Sequence, residues 1–69
     1  MIDVSLGITR EELINILGKP EDTGGTSRKY KTPSVYKYND IQYFFEPWKS
    51  GRLYLVMKYL PDGNKIQIK

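Results

Sequence analysis

Only one stretch of this 69-residue chain carries the three- and four-residue apolar spacing of a helix, and it is closed at both ends. Leu13, Ile14, Ile16 and Leu17 form the apolar stripe. Thr9 is a good N-cap, and Glu12 three residues on completes a capping box. Ile8 and Leu13 are spaced to staple the helix start across that cap. Gly18 suits a left-handed C-terminal residue and Pro20 prevents continuation. These signals predict a helix over about 10–17. Beyond Pro20 the pattern changes to alternation, so the helix has only a sheet to pack on. The expected fold is α+β: residues 1–69 as a single small domain, one N-terminal helix on an antiparallel three- or four-stranded sheet.

The strands can be placed with their register. Val35–Tyr38 and Ile41–Phe45 flank Asn39-Asp40, a two-residue hairpin turn. That turn pairs Tyr38 with Ile41 and Tyr36 with Tyr43. One face then carries Tyr36, Tyr38, Ile41, Tyr43 and Phe45, and the helix should cover it. A third strand is expected over Arg52–Leu60, with Leu53, Leu55, Met57 and Tyr59 on one side. Pro61-Asp62-Gly63-Asn64 reads as a turn, and Lys65–Lys69 as an edge strand guarded by lysines. Which face Ile66 and Ile68 join depends on one residue of turn length. Residues 1–8 alternate Ile2, Val4, Leu6 and Ile8 and suit either a strand or an extended lead-in. Residues 21–33 read as a long loop, with Gly24-Gly25 as its point of backbone freedom.

A chain this short buries only about 60% of the surface its unfolded form exposes. Its aromatic content of 13%, six Tyr, two Phe and one Trp, must therefore supply much of the core. Cysteine is absent, which excludes a disulfide framework and a Cys zinc site. No apolar run reaches the roughly 20 residues of a membrane span. Residues 1–5 lack the basic start and apolar stretch of a signal peptide, so a cytoplasmic location is expected.

The net charge of +3 is unevenly spread. Residues 1–22 hold five acids and two bases, whereas residues 23–69 hold nine bases and three acids. An acidic helical end and a basic sheet follow. Arg28-Lys29-Tyr30-Lys31 and Tyr36-Lys37-Tyr38 are the most distinctive stretch, with bases and rings interleaved and no acid among them. Such a run suits single-stranded nucleic acid or an acidic protein. Alternatively the rings turn into the core while the lysines reach out from the rim. The candidate binding residues are Arg28, Lys29, Tyr30, Lys31 and Lys37. In the expected register Phe44, Tyr54 and Val56, with Val35 and Leu60, lie on the sheet face away from the helix. Phe44, Tyr54 and Val56 are therefore a candidate interface, for a partner or for a second copy of the chain.

Catalysis is not expected. The chain has neither His nor Cys, the commonest general base and the best nucleophile. Glu11 and Glu12 belong to the helix start. Thr23-Gly24-Gly25-Thr26-Ser27-Arg28-Lys29 lacks the spacing of a phosphate loop and follows a helix instead of preceding one. No cofactor and no metal are expected. The expected role is a non-catalytic protein-interaction module, with nucleic-acid binding through residues 28–38 as the alternative and no membrane partner.

Leu6-Gly7-Ile8-Thr9-Arg10-Glu11-Glu12-Leu13, with Leu17-Gly18-Lys19-Pro20, resembles the opening of small bacterial domains of the SmpA/OmlA and β-lactamase-inhibitor-protein kind. The resemblance implies a helical segment packed on an antiparallel sheet, and a protein-binding role, inhibitory or immunity-like. The chain departs from those domains in showing one helix before the sheet where they have two. It also lacks a lipid-bearing cysteine, so an outer-membrane role is not carried over. Gly24 to Ile41 looks like a set of short uncharacterised bacterial proteins, cyanobacterial ones among them, and that resemblance implies no activity.

Overall fold

The computed structural model describes residues 4–69. A single helix, α1 (Arg10–Leu17), is followed by five strands: β1 (Asp22–Gly24), β2 (Val35–Tyr38), β3 (Ile41–Phe45), β4 (Leu53–Tyr59) and β5 (Lys65–Gln67). The strands form one antiparallel meander in the order β1-β2-β3-β4-β5. The fold is α+β, with five strands where three or four were expected. The added strand is β1, which lies inside the segment expected to be loop. It is only three residues long, Asp-Thr-Gly, with no apolar side chain, so no alternation announces it. Its pairing comes from β2, against which Thr23 stands opposite Tyr36.

The helix is bounded as its caps require. The Thr9 side chain accepts from the Glu12 N–H at 3.2 Å, and Glu12 Oε1 accepts from the Thr9 N–H at 2.9 Å. At the other end Gly18, at φ 85°, donates its N–H to the Ile14 carbonyl at 2.7 Å. The Tyr38 hydroxyl donates to the Gly18 carbonyl at 2.6 Å and fastens that end to β2.

The core lies between α1 and one face of the sheet. Val4, Leu13, Tyr36, Tyr43, Phe45, Leu53 and Val56 are buried there, with Ile8, Leu17, Tyr38 and Ile41 packed around them. The hairpin register is as expected, with Tyr36 opposite Tyr43 and Tyr38 opposite Ile41. Ring contacts reinforce it, with centroids at 5.3 Å for Tyr36 and Phe45 and 5.5 Å for Tyr38 and Tyr43. Ahead of the helix the described chain is neither strand nor uniformly extended: it turns at Leu6-Gly7, with Gly7 at φ 92°, and then lies against β4. Leu53 exchanges hydrogen bonds with Gly7 and Ile8, and Thr9 bridges Arg52. Residues 1–3, part of the segment read as strand or lead-in, lie outside the described residues.

One expectation is overturned in β4. Uninterrupted alternation would put Val56 on the face away from the helix. Instead a bulge interrupts the ladder: Phe44 pairs with Leu55 but Phe45 pairs with Leu53, leaving Tyr54 as the extra residue. The phase of the strand shifts there. Leu53 joins the core beside Phe45, and so does Val56, opposite Tyr43 and only 4% exposed. Leu55, Met57 and Tyr59 take the other face. The ladder to β5 also places Ile66 opposite Lys58, and Ile68 donates its N–H to the Val56 carbonyl. Both isoleucines therefore share the phase of Val56, although each stays exposed beyond the reach of the helix. No helix among the described residues is long and apolar enough to cross a membrane.

Candidate functional site

The end of the sheet where β2 begins and β3 finishes carries two loops, 25–34 and 46–52, and a single buried cation holds both. Arg10 occupies the first position of α1, where the helix dipole disfavours positive charge. Its side chain turns away from solvent and is 7% exposed. Nε donates to the Pro33 carbonyl at 2.8 Å, Nη2 to the Glu46 carbonyl at 2.7 Å, and Nη1 to the Trp48 carbonyl at 2.9 Å. The Lys49 and Gly51 carbonyls lie at 3.4 and 3.5 Å from Nη1. The guanidinium also sits 5.2 Å from the Phe45 ring centroid. Among the described residues no carboxylate takes part. Burial pulls this group below its ordinary pKa, and a ring of carbonyl dipoles stands in for a counter-ion. The planar fork of arginine suits so many divergent acceptors.

Each loop has its own local closure. Ser34 donates its N–H to the Gly24 carbonyl and its hydroxyl to the Gly25 carbonyl, closing the neck of the first. Of the two glycines only Gly25 has positive φ, at 68°. Gly24 belongs to β1, so the pair is a pinned corner and not the hinge expected. Ser27 then caps a single turn: its Oγ accepts from Tyr30 N–H and its carbonyl from Lys31 N–H. In the second loop Glu46 Oε1 accepts from the Arg52 N–H at 2.9 Å. Gly51 is buried against Glu46, so closely that a Cβ would collide with the Glu46 carbonyl.

The two loops touch through Tyr30 and Trp48, whose rings meet edge to face with centroids 6.4 Å apart. Both rings are exposed, at 37% and 41%. Lys29 Nζ lies 5.4 Å from the Tyr30 ring centroid. Of the residues singled out in the sequence, Arg28, Lys29, Tyr30 and Lys31 are together on the first loop and exposed, joined from the second by Trp48 and Lys49. Lys37 is elsewhere. It stands on the open face of the sheet, opposite Asp22 and 3.9 Å from its carboxylate. Tyr36 and Tyr38 point to the core, as the alternation Tyr-Lys-Tyr requires.

That open face is the second feature. Val35, Phe44 and Leu55 stand in one row across β2, β3 and β4, with Met57 and Tyr59 beside them on β4. None of the five is buried, because α1 and the lead-in occupy the opposite side. The candidate interface Phe44, Tyr54 and Val56 is thereby corrected. Phe44 is on this face, Tyr54 stands at the bulge and is 55% exposed, and Val56 belongs to the core. A third feature, an open cleft of about 410 Å³, runs between the end of α1 and β1 past Ile14, Lys19 and Tyr36.

Arg10 and Trp48 are the residues that sequence reasoning missed. A base in the first turn of a capped helix is locally unfavourable, and that misfit is the signal for a tertiary partner. Trp48, the chain's single tryptophan, lies between Pro47 and Lys49 in a loop instead of the core. Compared with protein-family models, curated proteins and solved structures, the chain has no match.

Proposed function

We propose that this chain is a non-catalytic protein-interaction module that docks its partner on the open face of the sheet. The observation that carries this reading is the partly exposed apolar group Val35, Phe44 and Leu55 with Met57 and Tyr59, on the face that α1 leaves free. In so short a chain large apolar groups are scarce, and five of them on a face its own helix does not cover point to an external surface as their complement. Polar side chains border these groups, with Lys37 and Gln42 in register across β2 and β3, Met57 next in that row on β4 and Gln67 beyond it on β5. The lack of His and Cys supports the non-catalytic part.

The test is capture from native lysate at low and high salt, with and without nuclease, using the wild-type chain and Leu55→Asp/Met57→Asp. A partner protein should be retained at both salts, withstand nuclease and be lost with the double variant, whose circular dichroism should match wild type. Capture that disappears with nuclease or high salt, or that ignores the double variant, would refute the reading.

A further inference from the structure

We propose that the loop end of the sheet, apart from the open face, is a binding site for single-stranded nucleic acid. Three independent observations meet there. The first is charge. Arg28, Lys29, Lys31 and Lys49 are all exposed, and among the described residues none of the four is in an ion pair. The four cations are thus unneutralised. The only acid on the two loops, Glu46, already accepts from the Arg52 backbone. A phosphate backbone is the ligand that meets a group of unpaired cations on two adjoining loops with matching charge.

The second is the pair of exposed rings. Tyr30 and Trp48 touch, yet their planes are inclined by 68°, so their faces look in different directions. Bases splayed from a single strand can stack on such faces one at a time, whereas bases inside a duplex cannot be reached. An acidic polypeptide would use the cations but has no need of the rings, and this favours nucleic acid over a protein at this site. The third is preorganisation. Arg10 bonds to Pro33 at the base of one loop and to Glu46 and Trp48 in the other. The relative position of the loops is thus set before any ligand arrives, which lowers the ordering cost of binding.

Trp48 is the single tryptophan, so its fluorescence reports on the site directly. Titration with a 20-nucleotide oligo(dT) and with a mixed-sequence RNA of equal length should quench it. Three to four phosphates neutralised on a single strand predict a slope of log K against log salt of about −2 to −3. Between 50 and 200 mM salt the affinity should then fall about 20–50-fold. Arg28→Ala/Lys29→Ala should make the slope shallower by about 1.4. Followed by anisotropy of a labelled oligonucleotide, Trp48→Leu and, separately, Tyr30→Leu should each weaken binding by about 5-fold to 100-fold. Leu55→Asp/Met57→Asp should bind like wild type, which keeps this site distinct from the open face. Thermal melting identifies any variant that fails to fold, and the two single-ring variants are independent of each other. The proposal is overturned if neither oligonucleotide binds at 50 mM salt. It is overturned equally if polyglutamate competes on level terms and both ring variants bind as wild type, a result that would assign the cations to an acidic protein.

Discussion

Arg10 shows how one side chain can determine a surface it does not form. A cation at the start of a helix faces an unfavourable dipole worth roughly 0.3–1 kcal/mol. Here that cost is offset by hydrogen bonds to carbonyls at both loops. Removing the guanidinium strands the partly buried Pro33 and Glu46 carbonyls, and an unpaired polar group costs up to roughly 1–3 kcal/mol when fully buried. Arg10→Met should therefore destabilise the fold by about 2–4 kcal/mol. Arg10→Lys should fall near it, because an ammonium cannot reach divergent acceptors as a planar fork does. Urea denaturation checks both, and a wild-type midpoint at unchanged slope would mean that water replaces the guanidinium. Thr9→Ala, at the neighbouring cap, should cost about 0.5–2 kcal/mol by the same measurement. The hydroxyl bond to Glu12 is direct, so an unaltered midpoint would remove the capping box as a source of stability.

At the scale of elements, legibility followed the locality of the signal. The helix, the Asn39-Asp40 hairpin and the Pro61–Asn64 turn each rest on contacts within a few residues, and all three were readable. Asn39 is left-handed at φ 57°, and Gly63 at φ 91° permits the final turn. The phase of β4 rests on a bulge opposite Phe44 and Phe45, and no residue within β4 announces it. One extra residue moved Val56 from the open face to the core. The basic stretch was legible as a run of charge, but its neighbours Trp48 and Lys49 arrive from another loop through Arg10. Local signals also have a pH signature. Glu12 accepts the backbone N–H of Thr9 and bonds to its hydroxyl, and these bonds hold its carboxyl below the usual value of about 4.3. Asp62 is lowered likewise, first by the backbone N–H of Asn64 and then by its side chain. A lowered native pKa means that the unfolded chain takes up the proton first as pH falls. The stabilisation is complete above the ordinary carboxylate range and is lost as pH drops through the native values. Stability should thus decline as pH falls through and below the ordinary carboxylate range. Glu12→Gln and Asp62→Asn should each show a smaller difference in urea midpoint between pH 6 and pH 3 than wild type. Differences equal to wild type would place the acid sensitivity elsewhere.

The whole molecule carries two candidate surfaces, and the size of the open face bears on how it associates. The open face offers Val35, Phe44, Leu55, Met57 and Tyr59 across three strands. At about 4.8 Å between strands and about 3.3 Å per residue, that strip covers on the order of 250 Å². A stable interface takes roughly 800 Å² from each partner. Two copies stacked through this strip alone fall well short. The edges of the sheet add little, since β1 and β5 are three residues each and β5 begins at Lys65. Charge works against self-association too, because a molecule of net charge +3 repels its copy at low salt. A larger protein escapes the area limit, since it can extend past the strip to the polar residues beside it and beyond them. The chain should therefore sediment as a monomer at concentrations up to about 100 µM, a range in which contacts well below standard size do not persist. Sedimentation velocity over a concentration series at 50 and 500 mM salt provides the measurement. A dimer that forms at low micromolar concentration and dissociates on Leu55→Asp would show that a second copy is the partner of the open face. A dimer indifferent to that substitution would place self-association on another surface.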